Sequence, residues 1–502
     1  MTSLTEWEKS KASISVTFHI SLSKQINHNK YMNKPLHCLL ATALLLSGAT
    51  LQLRADEVKM TTSQAVGGHL TLALNADVMA TLAWSDGTKQ TVESDGSLLE
   101  LEVKAPELTV TTEDKLTRLY VQGNQLTALD VTKAKNLRQL FCADNKLAKL
   151  DLAKNTELTT LDAQGNELTT LTLNNAKGLK ELNVACNKLT KISLAATARP
   201  TSVVANDNQL TALPSATNLT KAQCVWASGN EVSVLPIGYA TGLRTTVMSD
   251  NKLAVANFPF TPMLREVWLD HNELTQLDLS KQSPKLQALV VNDNELNLVK
   301  WDKSSKQTAK YVYMHNNALF LNSMPSLIFG GKAIDCNLGG QQPYALPKKV
   351  YEVNEAVDIN SLVQQNGWGI SAMPKVSVVD KAGNVLEAGK DYTVKNNSFV
   401  FSDVKVGLHF EVTSASYSDM KWTTAIFNVG STEGIGQTTA ASALQVTTAR
   451  GTLTLTLGAD TRVVVVAADG RMVGNAILAA GSHTMNVPAG VYVVNGQKVM
   501  VP

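Results

Sequence analysis

The sequence has 502 residues, more than one ordinary hydrophobic core can organise, so several domains are expected. Hydrophobic residues make up 44% and charged residues 18%, which is typical of folded proteins and not of disordered chains. The 45 Lys and Arg residues nearly balance 43 Asp and Glu residues, and the formal charge of +2 gives no electrostatic reason to propose a nucleic-acid partner.

Residues 32–55 have the layout of a secretory signal peptide. A basic start at Lys34 precedes an apolar run over 39–46, and a polar stretch then ends at Ala55, where we expect cleavage. The apolar run is too short to span a bilayer, and no other segment has the length of a transmembrane helix. We interpret residues 1–31 as an upstream segment from a translation start placed too early. For the signal-peptide segment, the alternative is a buried hydrophobic helix.

Residues 56–115 alternate apolar and polar side chains, as in HLTLAL at 69–74 and LLELEV at 98–103, with a turn at 85–87. This pattern predicts a small β domain. We interpret it as a cap, because the first edge of a repeat array has to be covered.

From residue 116 onward an asparagine recurs every 21 to 23 residues, and an aliphatic residue follows it two positions later. The ten members are Asn124, Asn145, Asn166, Asn187, Asn208, Asn230, Asn251, Asn272, Asn294 and Asn317. Each closes the pattern L-x-x-L-x-L-x-x-N-x-L. The alternating Leu-x-Leu predicts a short strand with one inward face, and stacked strands predict a parallel sheet. The asparagine amide is expected to satisfy backbone groups at the tight turn that follows.

A second apolar pair in each repeat, such as Leu129 and Val131, is expected to fill the convex side. Repeats this short leave little room for a full helix, so we expect extended or tightly turned segments there. Ala222 at a first-leucine site and Thr246 at a strand core site weaken the core locally. The pattern fades around 334–337, which is typical of a terminal unit.

The repeat is the consensus of the leucine-rich-repeat family, and the resemblance covers residues 116–340. Within it, LTALDVTKAKNLRQLFCADNKL at 126–147 resembles the bacterial internalin-type proteins, and Cys142 occupies the inward strand site where one such subgroup carries cysteine. The resemblance implies an extracellular adhesive or recognition protein. The predicted fold class is mainly β, a leucine-rich-repeat solenoid of about ten repeats with a parallel sheet on its concave face, flanked by small β domains.

The repeat register also separates the cysteines that follow the signal peptide. Cys186 and Cys224 fall two repeats apart, roughly 9 to 10 Å at sheet spacing, which is beyond disulfide reach. We therefore do not expect a disulfide framework.

Residues 341–430 lose the asparagine register and contain short valine-rich strands, such as 376–379 and 399–401. This favours an immunoglobulin-like β-sandwich that serves as cap and spacer, with a second binding domain as the alternative. Residues 431–442, STEGIGQTTAAS, form a polar linker rich in Gly and Thr.

Residues 443–502 form a predicted C-terminal β domain, in which a strand and an Asp-Gly turn occupy 462–471. The sequences DGR at 469–471 and PAGVY at 488–492 resemble the C-terminal sorting domain of type IX secretion substrates of Gram-negative bacteria. The resemblance implies export across the outer membrane by the type IX secretion machinery, removal of the segment and attachment of the protein to the cell surface. An ordinary terminal β domain is the alternative.

Motifs of catalysis are absent from the sequence: it contains no G-x-S-x-G, H-E-x-x-H, phosphate-binding loop or C-x-x-C. His271 and His315 lie beside repeat asparagines, and we expect solvated turn residues there and not metal ligands, because no third ligand accompanies them. We therefore expect no enzyme activity, no metal and no cofactor.

The middle residue of each Leu-x-Leu strand points outward onto the concave face, because side chains alternate along a strand. We call these residues the outer column: Tyr120, Phe141, Asp162, Asn183, Val204, Trp226, Val247, Trp268, Val290 and Tyr313. Five of the ten are aromatic, against 5% in the whole chain. Neighbouring outward positions add Arg118, Gln122, Glu181, Asn206, Glu266, Asp270, Tyr311 and His315.

Large aromatic side chains with polar surroundings are typical of a protein-binding face, and Trp and Tyr can also stack on sugars. The predicted contact residues are Tyr120, Phe141, Trp226, Trp268, Tyr311 and Tyr313. The alternative is that these rings only pack against one another along the sheet.

The predicted function is that of an exported protein on the surface of a Gram-negative bacterium. It binds a protein or glycan on a host or bacterial surface, in an internalin-like role in adhesion, biofilm formation or virulence. A structural spacer of the cell envelope without a specific ligand is the second hypothesis.

Overall fold

The structure is a computed structural model that describes residues 55–237, 240–258, 260–280, 286–301, 309–320, 323, 335–363, 374–414, 417–430, 445–449, 452–457, 461–467, 472–479, 481–494 and 497–501. It forms two compact units, with the division between Gln342 and Pro343. The predicted upstream segment, the signal peptide up to residue 54, the linker over 431–442 and the turn at 469–471 lie outside the described residues.

The first unit is built on one long parallel sheet, which confirms the predicted leucine-rich-repeat solenoid. Neighbouring strands pair one full repeat apart, so that Leu161 lies opposite Leu140 on one side and Leu182 on the other. Among the described residues the parallel strands are β7 (Arg118–Tyr120), β9 (Gln139–Phe141), β10 (Thr160–Asp162), β12 (Glu181–Asn183), β14 (Ser202–Val204), β15 (Cys224–Trp226), β16 (Thr245–Val247), β18 (Glu266–Trp268), β20 (Ala288–Val290), β22 (Tyr311–Tyr313) and β23 (Asp335–Asn337).

The inward residues of these strands form the core of the solenoid. The central inward side chains are fully buried or nearly so from Leu119 in β7 to Val312 in β22. A leucine or valine occupies almost every one of these sites, and Thr246 is the polar exception that the sequence indicated. Burial of this apolar column, at about 1.5 to 3 kcal/mol per side chain, stabilises the stacking of the coils.

The opposite side of the solenoid consists of short strands and turns, as predicted for repeats of this length. Its helical content includes one complete 3-10 turn, Asn218–Lys221. The strands there are β8 (Leu126–Asp130), β11 (Thr170–Leu173), β13 (Lys191–Leu194), β17 (Ala256–Asn257), β19 (Gln276–Leu279) and β21 (Leu298–Trp301).

Six antiparallel strands precede the repeats and cover their first edge. They are β1 (Asp56–Thr62), β2 (His69–Leu74), β3 (Val78–Trp84), β4 (Lys89–Ser94), β5 (Leu99–Glu102) and β6 (Glu107–Thr112). Strand β2 pairs antiparallel with β7 of the long sheet, and β1 pairs antiparallel with β8 on the opposite side. Both sheet edges of the first coil are therefore hydrogen-bonded to this cap, which removes a template for aggregation.

The second unit begins with two small sheets packed on each other. Its strands are β24 (Val350–Tyr351), β25 (Ala356–Asp358), β26 (Lys375–Val379), β27 (Thr393–Lys395), β28 (Ser398–Val400), β29 (Lys405–Ser414), β30 (Tyr417–Thr423) and β31 (Phe427–Val429), with a one-turn helix at Asn360–Val363. Phe399 of one sheet meets Phe410 of the other at 4.8 Å between ring centroids. These rings form the core of a sandwich, and its immunoglobulin-like character stays a prediction.

The C-terminal strands form two more sheets around a core of their own. They are β32 (Gln445–Ala449), β33 (Thr452–Leu457), β34 (Thr461–Ala467), β35 (Met472–Leu478), β36 (Gly481–Asn486), β37 (Gly490–Val494) and β38 (Gln497–Val501). The order is β32-β33-β36 in one sheet and β35-β34-β37-β38 in the other. Leu455 and Val465 come from different sheets and are buried in the same cluster. Within the described part of the chain, no helix has the length and apolar character to cross a membrane.

Candidate binding surface

The outer face of the long sheet is held in place by the repeat asparagines, each of which connects two successive coils. Asn145 is representative: its Oδ1 accepts the backbone N–H of Leu126 at 2.9 Å. Its Nδ2 donates to the carbonyls of Val121 in the preceding coil, at 2.9 Å, and of Cys142 in its own coil, at 3.0 Å. The side chain is buried, so these bonds replace water for backbone groups that leave the sheet.

The two ends of this asparagine ladder depart from the repeat. Asn124 has a strand of the cap as its neighbour, and it exchanges hydrogen bonds with the backbone of Thr71. At the other end Gln341 replaces asparagine: its Nε2 donates to Met314 O at 2.9 Å, and its Oε1 accepts the N–H of Leu319 at 2.9 Å. The ladder thus extends one residue beyond the predicted bound of 340. The sequence search missed it because a glutamine carries the same amide on a longer stem.

The residue before each ladder amide adopts a left-handed backbone conformation. Within the described residues this position is filled by Gly123, Asp144, Gly165, Cys186, Asp207, Gly229, Asp250, His271, Asp293, Asn316 and Gly340, all with φ between 53° and 72°. Glycine, asparagine and aspartate tolerate this region best, which explains most of the choices. The same enrichment is visible in the sequence. Because every coil turns in the same left-handed conformation at this position, each strand ends at the same point and the outward side chains stay aligned.

The C-terminal part of the outer column forms a continuous apolar stripe. We call it the aromatic–valine stripe: Val204, Trp226, Val247, Trp268, Val290 and Tyr313. Each member pairs in register with the next across adjacent strands. Trp226, Trp268 and Tyr313 are half-buried. The structure therefore brings three predicted contact residues into one line, with a valine between successive rings.

Tyr311 lies on the same strand as Tyr313 and is the most open of the predicted contact residues. It is 49% exposed. Because it lies two positions earlier in the strand, it widens the stripe toward the strand start.

The other two predicted contact residues form a separate group at the N-terminal end of the face. The rings of Tyr120 and Phe141 lie 6.3 Å apart, and the guanidinium of Arg118 lies 5.8 Å from the Phe141 ring centroid. Phe141 is only 2% exposed, so the expectation of an open ring at this position differs from the structure. The physical reason is that the longer side chains of Tyr120 and Arg118 lie against the Phe141 ring and shield it from solvent. Buried Asp162 and Asn183 separate this group from the aromatic–valine stripe.

Two polar atoms on the coil that carries Trp226 lack a hydrogen-bond partner within the protein. These are the indole N–H of Trp226 and the hydroxyl of Ser228, which lies two residues further along the same coil. Both atoms are shielded by their neighbours. A buried donor without an acceptor costs about 1 to 3 kcal/mol, so a ligand or water that supplied an acceptor would recover part of that energy.

The stripe runs between two rims of opposite charge. The strand-start rim consists of exposed cations that immediately precede strands of the sheet: Arg138, Lys180, Arg244, Arg265 and Lys310. The strand-end rim consists of aspartates in the left-handed turn position: Asp144, Asp207, Asp250 and Asp293. The near-neutral composition therefore conceals a face with more cations than anions along the strand-start side, where Glu181 and Glu266 offset part of the charge, and with anions along the other side.

Near the end of the strand-end rim, Asp293 lies between two histidines. Its Oδ2 is 3.5 Å from Nε2 of His271 and 3.9 Å from Nε2 of His315. Burial acts to raise the pKa of Asp293, but hydrogen bonds from Asn292 and Asn316 outweigh it, and the pKa lies below its usual value. Burial lowers the pKa of His315.

Both of these histidines are half-buried, and not fully solvated as the sequence predicted. A search of the described residues finds no group of three or more His, Cys, Asp or Glu side chains that could hold a metal ion.

The cysteines of the solenoid occupy different columns. Cys142 is buried at an inward strand site, Cys186 lies in the left-handed turn, and Cys224 begins a strand. These three, the cysteines of the solenoid whose side chains the structure describes, are free thiols. They therefore form neither a disulfide nor a stacked row along the solenoid.

Comparison with known proteins finds no matching family model and no matching curated protein. Solved structures with similarity include the functional domain of InlJ from Listeria monocytogenes, which includes a cysteine ladder, at 19% identity and a TM-score of 0.38 over 63% of this chain and 82% of that one. YopM from Yersinia pestis matches at 19% identity and 0.34, over 46% and 67%. InlP from Listeria monocytogenes matches at 15% identity and 0.24, over 56% and 90%. Likeness at this level carries no functional information. The first unit is a leucine-rich-repeat solenoid on the strength of its own sheet, register and asparagine ladder.

Proposed function

We propose that the aromatic–valine stripe is the contact surface for a protein partner, in an exported protein that attaches to the surface of a Gram-negative bacterium and serves adhesion. The observation that carries the proposal is the line formed by Trp226, Trp268 and Tyr313 on alternate strands of the sheet. Nothing in the solenoid requires aromatic residues there, since Asp162 and Asn183 occupy the same column elsewhere. Large, partly open rings in one line bury much area at low conformational cost when a partner binds.

Packing of the rings against each other does not account for the stripe. It accounts for Tyr120 and Phe141, which occupy adjacent strands and are in contact. Trp226 and Trp268 are different, because the strand that carries Val247 separates them. If mutual packing were the purpose, adjacent strands would carry the rings.

Export and surface attachment are proposed from the signal-peptide layout and the C-terminal motif. In the structure, PAGVY at 488–492 leads into β37, and the Tyr492 hydroxyl donates to Pro488 O at 2.8 Å. The motif thus has a local structural role, which is compatible both with a sorting domain and with an ordinary terminal domain. Deletion of residues 443–502 separates the two: a sorting domain predicts periplasmic retention of the truncated protein, whereas an ordinary domain predicts unchanged surface display.

The test of the contact surface is a double substitution, Trp226→Ala with Trp268→Ala, in surface-displayed full-length protein. We expect loss of cell attachment with an unchanged circular dichroism spectrum, because both rings lie outside the solenoid core. Phe260→Ala is the matched control, since Phe260 is a 50% exposed aromatic residue outside the outer column. Attachment that survives the double substitution would exclude this face as the site.

A glycan array, used beside the attachment assay, tests the other two hypotheses. Binding to a glycan array that depends on Trp226 and Trp268 would replace the protein partner by a sugar. Absence of both attachment and glycan binding in the wild-type protein would favour a structural spacer of the envelope.

A further inference from the structure

The repeat distance of the aromatic–valine stripe restricts the backbone that can lie along it. The rings of Trp226, Trp268 and Tyr313 alternate with Val204, Val247 and Val290. With adjacent strands about 4.8 Å apart, the valine positions repeat about every 9.6 Å. Val247 and Val290 each lie between two longer rings, and Val204 lies between Trp226 and Asn183. The three valine positions are therefore lower than their neighbours and span about 19 Å from first to last.

An extended polyproline II segment matches this distance. It rises about 3.1 Å per residue with three residues per turn, so every third side chain points the same way and these side chains lie about 9.3 Å apart. Three of them span about 18.6 Å. In a β-strand the side chains on one face repeat about every 6.6 Å, and in an α-helix every seventh residue repeats at about 10.5 Å. Of the three backbones, polyproline II has the side-chain spacing that differs least from the distance of about 9.6 Å between valine positions.

The hydrogen-bonding state of the stripe favours the same backbone. The indole N–H of Trp226 has no acceptor in the free chain, and the neighbouring Ser228 hydroxyl has no partner. A polyproline II segment leaves its own carbonyls unpaired, whereas a helix uses them internally. A small rotation of the Trp226 ring toward such a carbonyl would therefore add a hydrogen bond that a helical partner could not offer.

The charged rims specify the side chains that flank such a segment. Two of every three residues in a polyproline II segment point sideways, one toward each rim. On the coils of the stripe, the strand-start rim presents Arg244, Arg265 and Lys310, and the strand-end rim presents Asp207, Asp250 and Asp293 along the opposite side. Cationic side chains are favoured toward the aspartates, and anionic or neutral ones toward the arginines.

We infer that the stripe binds a proline-rich polyproline II segment of the partner, with an apolar residue at every third position and residues of opposite charge on its two sides. This inference rests on the proposed function and specifies the part of the partner that makes the contact. About seven residues, from the first docked position to the third, cover the stripe.

The test uses synthetic nine-residue peptides, acetylated and amidated, titrated against the full chain by tryptophan fluorescence and calorimetry. The probe has proline at every third position with one lysine and one glutamate between prolines. The comparison peptides are a scramble of the same residues, a version with lysine at both intervening positions, and a longer helical peptide of about 15 residues, which carries three leucines at every seventh position. We expect saturable binding of the probe, and binding several-fold weaker or absent for the other three.

Variants of the protein then locate the site. Trp226→Ala with Trp268→Ala should abolish probe binding, and Phe260→Ala should leave it unchanged. Arg244→Glu with Arg265→Glu should reverse the preference, so that the peptide with lysine on both sides binds better than the probe. Arg244 and Arg265 are exposed and precede their strands, and circular dichroism checks that these variants fold.

Absence of saturable probe binding, equal binding of the scramble, or preference for the helical peptide would each overturn the inference. These outcomes differ from a failure of the proposed function. If attachment requires Trp226 and Trp268 but the probe does not bind, the stripe remains the proposed contact surface and the polyproline II ligand is excluded. If the probe binds but attachment does not depend on either tryptophan, the stripe is a polyproline II binding site and its role in adhesion is excluded.

Discussion

The inward and outward sides of the same strands obey different rules. Inward, from Leu119 to Val312, the chain repeats an aliphatic residue almost without exception, and the ladder amide returns in every coil. Outward, the same strands carry Asp162 in one coil and Trp226 in another. The comparison teaches that the fold fixes the inward positions and leaves the outward ones free. Regularity among the outward residues, such as the alternation of rings and valines, therefore points to a requirement other than folding.

The largest expected effect on stability comes from a substitution in the asparagine ladder, which belongs to the inward, repeated part of each coil. In Asn251→Ala, the N–H of Val232 loses its acceptor. The carbonyls of Ala227 and Met248 each lose one of two amide donors and keep the second, from Asn230 and Asn272 respectively. An unpaired buried N–H costs about 1 to 3 kcal/mol, and each further hydrogen bond lost contributes about 0.5 to 1.5 kcal/mol, so we expect the free energy of unfolding to fall by about 3 kcal/mol. Urea denaturation followed by circular dichroism measures it.

Lys252→Ala is the matched control for this substitution. Lys252 is adjacent and exposed, and its ion pair with Glu231 is also exposed, so the expected loss is below about 1 kcal/mol. Equal losses for the two variants would contradict the structural role of the ladder.

A smaller effect is expected at the turn that aligns the outward side chains. Gly229 has φ of +66°, and a Cβ there would lie 2.6 Å from Oδ1 of Asp207. Gly229→Ala should therefore lower the free energy of unfolding by about 1 to 2 kcal/mol, because L-residues are disfavoured in this region. The midpoint of urea denaturation reports the change.

Gly178→Ala provides the comparison for the turn. Gly178 does not require the left-handed region, and the nearest atom to its added Cβ is 3.9 Å away. Its substitution should be neutral or stabilise by up to about 1 kcal/mol. If both alanine variants behaved alike, backbone conformation would not be what selects glycine before the ladder amide.

The division between what the sequence could and could not predict follows the same two sides. The inward column and the ladder were predictable, because burial forces one residue type into each repeat at a constant distance. The exposure of individual outward residues was not, since it depends on neighbours from adjacent coils: Phe141 is covered by Tyr120 and Arg118, whereas Tyr311 stays open. The end of the ladder at Gln341 was missed because a different residue supplies the same amide.

The charged rims of the candidate site were also missed. Their members, such as Arg244 and Asp250, are dispersed among oppositely charged residues along the chain, and only the stacking of coils places like charges in line. The local sequence around each one carries no sign of that alignment. The total charge hides it as well, because the two rims compensate each other.

The smallest expected effect concerns the one inward strand position where the rule is broken. Thr246 is fully buried and its hydroxyl has no hydrogen-bond partner, in a column of leucine and valine. Thr246→Val keeps the branched shape and removes the unpaired hydroxyl, so the free energy of unfolding should rise by about 1 kcal/mol. The adjacent Thr245→Val is the control, because that side chain faces outward, is half-buried and should change stability by less than about 0.5 kcal/mol. A gain at Thr246 without a gain at Thr245 would show that stability is decided on the inward side of the strand. Equal gains would instead indicate that β propensity alone governs both sites, and the distinction between the two sides of the sheet would lose its energetic basis.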